Sequence, residues 1–138
     1  MAASTLMSDI KVIDGDTLTV KTFNGTEKIR LRHIDAPELN QRFGTKSKSL
    51  LEKSIAGKSI VLHCDAKKDM YGRKLCEIFV DNKSINARQV ELGAAWVYTD
   101  YAPKKSPLFK LQEAARIEHR GLWAETTPTA PWEYRRKN

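Results

Sequence analysis

The chain has 138 residues, with 24 Lys and Arg against 17 Asp and Glu, for a formal charge of +7. That length suits one domain with one real core, its 41% hydrophobic and 30% charged residues are those of an ordinary globular protein, and no apolar run approaches a membrane span. Two cysteines, Cys64 and Cys76, lack C-x-x-C spacing and His33, His63 and His119 are scattered, which argues against a disulfide scaffold or a soft-metal site, while the positive charge favours a polyanion, nucleic acid first.

The opening "MAASTLMSD" lacks the charged-then-apolar pattern of an export signal, and residues 1–9 are expected to be a loose start. From Ile10 to about Ile34 the residues predict β structure: "TLTVKT" is β-branched, "NGT" at 24–26 is a hairpin turn, and Ile29 and Leu31 alternate with polar partners. Pro37 then stops strand pairing. In "FGTKSKSLLEKSIAG", Ser47, Leu50, Leu51, Ser54 and Ile55 fall at helical spacing before Gly57. "SIVLHC" and "KLCEIFV" flank "DAKKDMYGR" as a second hairpin with a longer loop. "INARQVELG" predicts a short helix closed by Gly93, and "SPLFKLQEAARIEHRG" a third helix with a Ser-Pro start and a stop at Gly121. The tail, 124–138, is punctuated by prolines and expected to lie over the surface. The order of elements predicts an α+β fold in a single 1–138 domain. A five-stranded barrel with about three helices fits it, by analogy with the oligonucleotide-binding (OB) fold.

Three short stretches carry the chemistry. "VIDGDTLTV" sets Asp14 and Asp16 around a glycine in an apolar strand, which suggests a bulge or a close backbone approach, although Asp-Gly is equally an ordinary hairpin turn. "RLRHIDAPE" presents Asp35 and Glu38 at a proline turn, where acids usually cap or solvate a loop. "DMYGR" at 69–73 presents Asp69, Tyr71 and Arg73 on a turn. Each is weak alone. Together they bring carboxylates and the arginines Arg30 and Arg73 to loops at strand ends, where binding residues concentrate.

In this order, D-G-D-T, R-L-x-x-I-D-x-P-E and D-x-Y-G-R resemble the staphylococcal (micrococcal) nuclease and thermonuclease family, from about Ile10 to Trp123. The closing "PWEYRR" is similar to the tail of some plasmid and proteobacterial members. By position, the resemblance implies that Asp16, Asp35 and the main-chain carbonyl of Ala36 hold a calcium ion, with Asp14 behind them. Ala36 stands where the staphylococcal protein has threonine, and only a carbonyl is needed there. Arg30 and Arg73 would grip the scissile phosphate, Glu38 would activate the attacking water, and Tyr71 with Tyr98 or Tyr101 would line the nucleotide pocket.

Elementary chemistry agrees with these roles. Calcium takes oxygen ligands, and carboxylates and carbonyls are what these motifs offer. Arginine's fork matches phosphate oxygens and keeps its proton, which leaves Glu38 as the candidate base. The implied function is a calcium-dependent endonuclease acting on DNA and RNA with little sequence preference and leaving 3′-phosphate ends. The implied protein is a monomer without a small-molecule cofactor or membrane insertion. A secreted or periplasmic address is expected, its signal not being in this stretch, with the cytoplasm as the alternative. The rival function is a catalytically inactive OB-fold nucleic-acid-binding module, and a protein-interaction module with a basic surface is a third. Presence of Asp16, Arg30, Asp35, Glu38 and Arg73 together favours the enzyme.

Other residues have plainer readings. Lys46, Lys48, Lys53, Lys104 and Lys105 are expected as solvated surface that helps only by nonspecific phosphate attraction. His33 is expected as a strand residue facing solvent, and Trp96, Trp123 and Trp132 as packing anchors. Antiparallel pairing that sets Leu62 against Ile78 also opposes Cys64 to Cys76 and keeps one face apolar. The two would be bonded in an oxidising compartment and buried thiols in a reducing cytosol.

Overall fold

The computed structural model describes residues 3–6 and 9–138. Strands β2 (Ile10–Asp14), β3 (Thr17–Thr22) and β4 (Gly25–Leu31) form an antiparallel meander. Along β3, Leu18 and Val20 are buried while Thr17 and Thr19 are not, the period of a sheet with one face on the core. The turn into β4 is Phe23–Asn24, followed by Gly25 at φ 103°, where the sequence asks for a glycine.

After the short β5 (Ile34–Asp35), helix α1 (Gly44–Ile55) buries Gly44, Ser47, Leu51 and Ile55 as one stripe. Leu50 and Ser54 lie half-buried at its border. Strands β6 (Ile60–Lys68) and β7 (Lys74–Val80) pair with Leu62 opposite Ile78 and Cys64 opposite Cys76, the register expected from the apolar pattern. The two cysteines form a disulfide. A parallel pairing of β4 with β7, over residues 29–31 and 74–76, joins the hairpin to the meander.

Strand β1 (Ala3–Leu6) adds to the far edge of β6. Within the 1–9 segment expected to be loose, residues 3–6 therefore extend the sheet; 1, 2, 7 and 8 lie outside the described residues. The ladder runs β1-β6-β7-β4-β3-β2, with β8 (Lys83–Ser84) also on β7, and β5 pairs separately with β9 (Trp96–Val97). It has more strands than the expected five. Among the described residues it stays open between β1 and β2, end strands of only four and five residues. The α+β class stands.

Among the described residues the α-helices number four rather than about three. Helix α2 (Ile85–Glu91) is capped by Ser84, whose hydroxyl accepts the Ala87 N–H at 3.1 Å. Helix α3 (Leu108–Ile117) stops short of the expected Gly121: His119 turns left-handed, and Gly121 instead opens a 3₁₀ turn, Gly121–Ala124. There a side chain would overlap the Gly93 carbonyl, so this glycine serves a close backbone approach. The tail folds too. Helix α4 (Pro131–Lys137) starts on its proline and ends in three basic residues.

Candidate active site

The turn from β2 to β3 carries the two acids. Pairing is regular through Val12, then shifts before Asp14, so the expected irregularity is present. Gly15 is needed for space: a Cβ there would overlap Ser47 Oγ of α1 and come within 2.7 Å of Ala36 Cβ. Gln89 of α2 holds the loop from behind, its Nε2 donating to the Gly15 carbonyl at 2.8 Å and the Ser47 carbonyl at 3.3 Å. Both helices therefore fix the acids from the core side.

Asp16 is buried, with Oδ2 accepting the Ala36 N–H at 2.7 Å and Oδ1 the Thr17 hydroxyl at 2.8 Å. Asp35, 1% exposed, approaches from β5. Between them lies Arg30 of β4, 8% exposed. Its Nη1 donates to the carbonyls of Leu31 at 2.5 Å and Ile34 at 2.8 Å. Its Nη2 is 3.2 Å from Asp35 Oδ1 and 3.5 Å from Asp16 Oδ2. One guanidinium nitrogen thus bridges acids 19 residues apart.

Burial disfavours negative charge on these three acids and prevails on two of them. Burial, then the Asp16 charge, pushes the Asp14 carboxyl up to about 7. Burial pushes Asp35 up to about 6, against the pull of a hydrogen bond from Arg135. Asp16 goes the other way. Burial opposes its charge most strongly, but Arg30 and hydrogen bonds from Asp14, Ala36 and Thr17 together hold it low. Two charged oxygen donors converging on one cationic nitrogen, with a third acid behind, fit a hard dication. Among the described residues no three His, Cys, Asp or Glu side chains form a ready metal cluster. An ion here would lean on Asp16, Asp35, main-chain oxygen and water.

The other expected residues stand farther out, around an open cleft of about 690 Å³ that Asp16, Arg30, Asp35, Glu38, Arg73 and Tyr71 help to line. Arg73 does not touch the acids. Its Nε binds Asp69 Oδ2 at 2.8 Å, while Asp69 Oδ1 accepts the N–H groups of Tyr71 and Arg73. Burial works against the Asp69 charge, but these bonds from Arg73 and Tyr71 keep its carboxyl low. Tyr71 is 70% exposed, with the Arg73 guanidinium 5.3 Å from its ring centre. Tyr98 and Tyr101, which also line the cleft, meet edge to face at 4.7 Å. His33 lines the cleft from a left-handed turn, φ 70°, rather than from a strand. Burial, then the Arg32 charge, lowers its pKa.

One residue of the site went unassigned in the sequence. Arg135 of α4 donates to Asp35 Oδ2 at 2.7 Å and Oδ1 at 3.2 Å, and to Glu38 Oε2 at 3.4 Å. Nothing in the spacing of "PWEYRR" points across 100 residues to an acid, and neither the helix-start signal of Pro131 nor the tail's likeness to other family members names that partner. Trp132 carries the helix into place, stacked on Tyr98 at 5.3 Å with 2° between the rings and edge-on to Trp96 at 5.6 Å. The tryptophans are packing anchors, as expected.

Known proteins of similar sequence carry nuclease names. An "Uncharacterized endonuclease" of Escherichia coli O157:H7 is 37% identical over 130 residues, covering 93% of this chain and 83% of that protein. One of the same description from Haemophilus influenzae is 39% identical over 130 residues, 93% of this chain and 71% of its own. A "Micrococcal nuclease" of Shigella flexneri is 31% identical over 137 residues, 92% of this chain and 78% of its own. The profile described as "Staphylococcal nuclease homologue" matches residues 28–125, more than half of the chain, from β4 with Arg30 to just past the 3₁₀ turn. On these matches, and with its three motifs gathered at one cleft, the chain belongs to the staphylococcal nuclease family.

Proposed function

We propose that this protein is a calcium-dependent endonuclease that hydrolyses DNA and RNA with little sequence preference and leaves 3′-phosphate ends. The observation that carries the reading is the convergence of Asp16 and Asp35 on Arg30 Nη2, at the floor of a cleft that also holds Glu38 and Arg73. The nuclease names of the relatives from Escherichia coli, Haemophilus influenzae and Shigella flexneri support the reaction class. Asp16, Asp35 and the Ala36 carbonyl are the proposed oxygen donors, with Asp14 adding negative charge behind them.

Calcium, when bound, supplies positive charge that offsets the phosphate and positions water. Glu38 takes the proton of the attacking water, since arginine cannot. Arg73 and Arg30 donate to the phosphate oxygens as charge accumulates in the transition state. Asp69 keeps the Arg73 fork oriented before substrate arrives, which lowers the cost of ordering it. Tyr71, Tyr98 and Tyr101 offer ring faces and hydroxyls to the nucleotide, a contact with no base preference.

Plasmid and single-stranded DNA incubated with calcium should be cut, and with EDTA left intact. Magnesium should support far less cleavage, because an open carboxylate site suits the larger ion. Robust cleavage in chelator would remove the metal from the reading, and 5′-phosphate ends would remove the proposed choice of bond.

A further inference from the structure

The C-terminal helix does more than cover the surface. Its docking has contacts apart from the acids: Trp132 stacks on Tyr98 and meets Trp96 edge-on, and Gln41 Nε2 donates to the Thr129 carbonyl at 2.7 Å. From that footing Arg135 reaches out of the last turn and grips both oxygens of Asp35, then Glu38. These are a proposed metal donor and the proposed base. Arg30 faces the same Asp35 oxygen from the core side, so Asp35 is held between two guanidiniums. The two differ in tenure. The Arg30 side chain is 10% exposed and tied to two carbonyls, whereas that of Arg135 is 38% exposed and bonds the two acids.

We propose that Arg135 is a residue of the metal site, a tethered cation that competes with a dication for Asp35 and so sets the site's calcium affinity. The proposal rests on the reading of Asp35 as a metal donor. A carboxylate shared by two guanidiniums has already spent much of its charge, and an incoming dication meets the Arg135 charge at close range. A unit charge and a dication a few ångströms apart repel enough, even with water-like screening, to change an affinity about ten-fold. Linkage makes the competition mutual: whatever Arg135 takes from calcium affinity, bound calcium would take from the Arg135 contact.

Calcium affinity of the full chain, measured by titration calorimetry without nucleic acid, tests this directly. Arg135→Gln should bind calcium about ten-fold more tightly than the parent, and Arg135→Lys should fall between them. Arg136→Gln removes the same charge one residue on, where the side chain pairs with Glu133 instead, and should leave the affinity within two-fold of the parent. Unchanged or weaker binding by Arg135→Gln overturns the proposal, and so does an equal gain in Arg136→Gln, which would mark a general effect of net charge. If neither the parent nor Arg135→Gln binds calcium, the metal reading of Asp35 falls and this inference falls with it. Parent binding with no gain in Arg135→Gln leaves the metal reading standing and removes only the competitor. Circular dichroism melts of all the variants confirm that each is folded before its affinity is compared.

Discussion

The two halves of the site hold their charges in opposite ways. On the inner side, Asp16, Asp35 and Arg30 are buried, cross-linked through main-chain groups and backed by two helices. On the outer side, Arg73, Tyr71 and Glu38 stand on loops, with Arg73 secured by its neighbour Asp69 and lying near the exposed Tyr71 ring. The inner half has few alternatives once the chain is folded. The outer half can adjust to a ligand. Buried groups suit fixing an ion that must not wander, and exposed ones suit meeting a long flexible polyanion. An inner change should therefore damage stability and activity together, and an outer change activity alone.

The arginines give the sharpest contrast. Arg30→Ala and Arg73→Ala should each slow cleavage by roughly 10²–10⁴ through lost stabilisation of phosphate charge. Only Arg30→Ala should also unfold easily, by about 3 kcal/mol, because it leaves Asp16 and Asp35 buried without their shared partner. Arg73→Ala should stay within about 1 kcal/mol of the parent, its ion pair being partly exposed. Urea melts beside initial rates would show the split; equal stability losses would erase the distinction between halves. Glu38→Gln belongs with the outer group, with cleavage down by roughly 10²–10⁴ and nucleic-acid binding largely kept.

Acidity probes chiefly the inner half, with His33, its pKa lowered, adding a smaller opposite slope near neutrality. Folded Asp14 and Asp35 sit at about 7 and about 6, above the ordinary 3.8, so between pH 4 and 7 the folded chain binds more protons than the unfolded one. Stability in chelator should therefore be greatest at the acid end of that window and fall as pH rises through it. Asp16 and Asp69, held low, contribute stability that is lost only below the window. Calcium should reverse the slope, stabilising more at pH 7.5 than at pH 5, where protons compete for the same oxygens. Thermal melts in EDTA that rise steadily from pH 5 to 7 would contradict the raised pKa of Asp14 and Asp35.

What could be read from the sequence follows the same division. Period-2 and helical patterns mark β3, α1 and the β6–β7 register because each reflects one face against one core, a local signal. The acids and arginines announce themselves through dense local motifs. Contacts made by residues in otherwise ordinary elements do not. Gln89 holding the Gly15 carbonyl, and Asn86 bonding the Ile78 N–H with the Arg32 and Cys76 carbonyls, look like routine polar positions of a short helix. Arg135 is the extreme case, since its partner lies 100 residues away and only the docking of Trp132 brings them together. The length of α3 was overread for a related reason: Gly121 looks like a helix stop, yet it is there to pass Gly93.

The smallest expected effect on cleavage comes from the disulfide, which lies on the boundary between the two halves. Cys64–Cys76 ties β6 to β7, with Cys76 three residues after Arg73 in the chain. Beyond it the ladder is irregular as far as the Lys68–Lys74 pair, so the hairpin's outer end depends on that tie and on Asp69. Closing a loop of this size stabilises by about 2–3 kcal/mol in the chain-entropy account. Cys76 is fully buried and Cys64 packs on the same core, so replacing both with alanine keeps a compact, apolar pair of positions. The double Cys64→Ala, Cys76→Ala variant should lose about 2–3 kcal/mol in urea melts. Its cleavage rate, measured well below the melting temperature, should stay within about three-fold of the parent, since Asp69 still orients Arg73. A drop of a hundred-fold with the chain folded would show that the outer arginine is held by the covalent tie and not by its carboxylate neighbour.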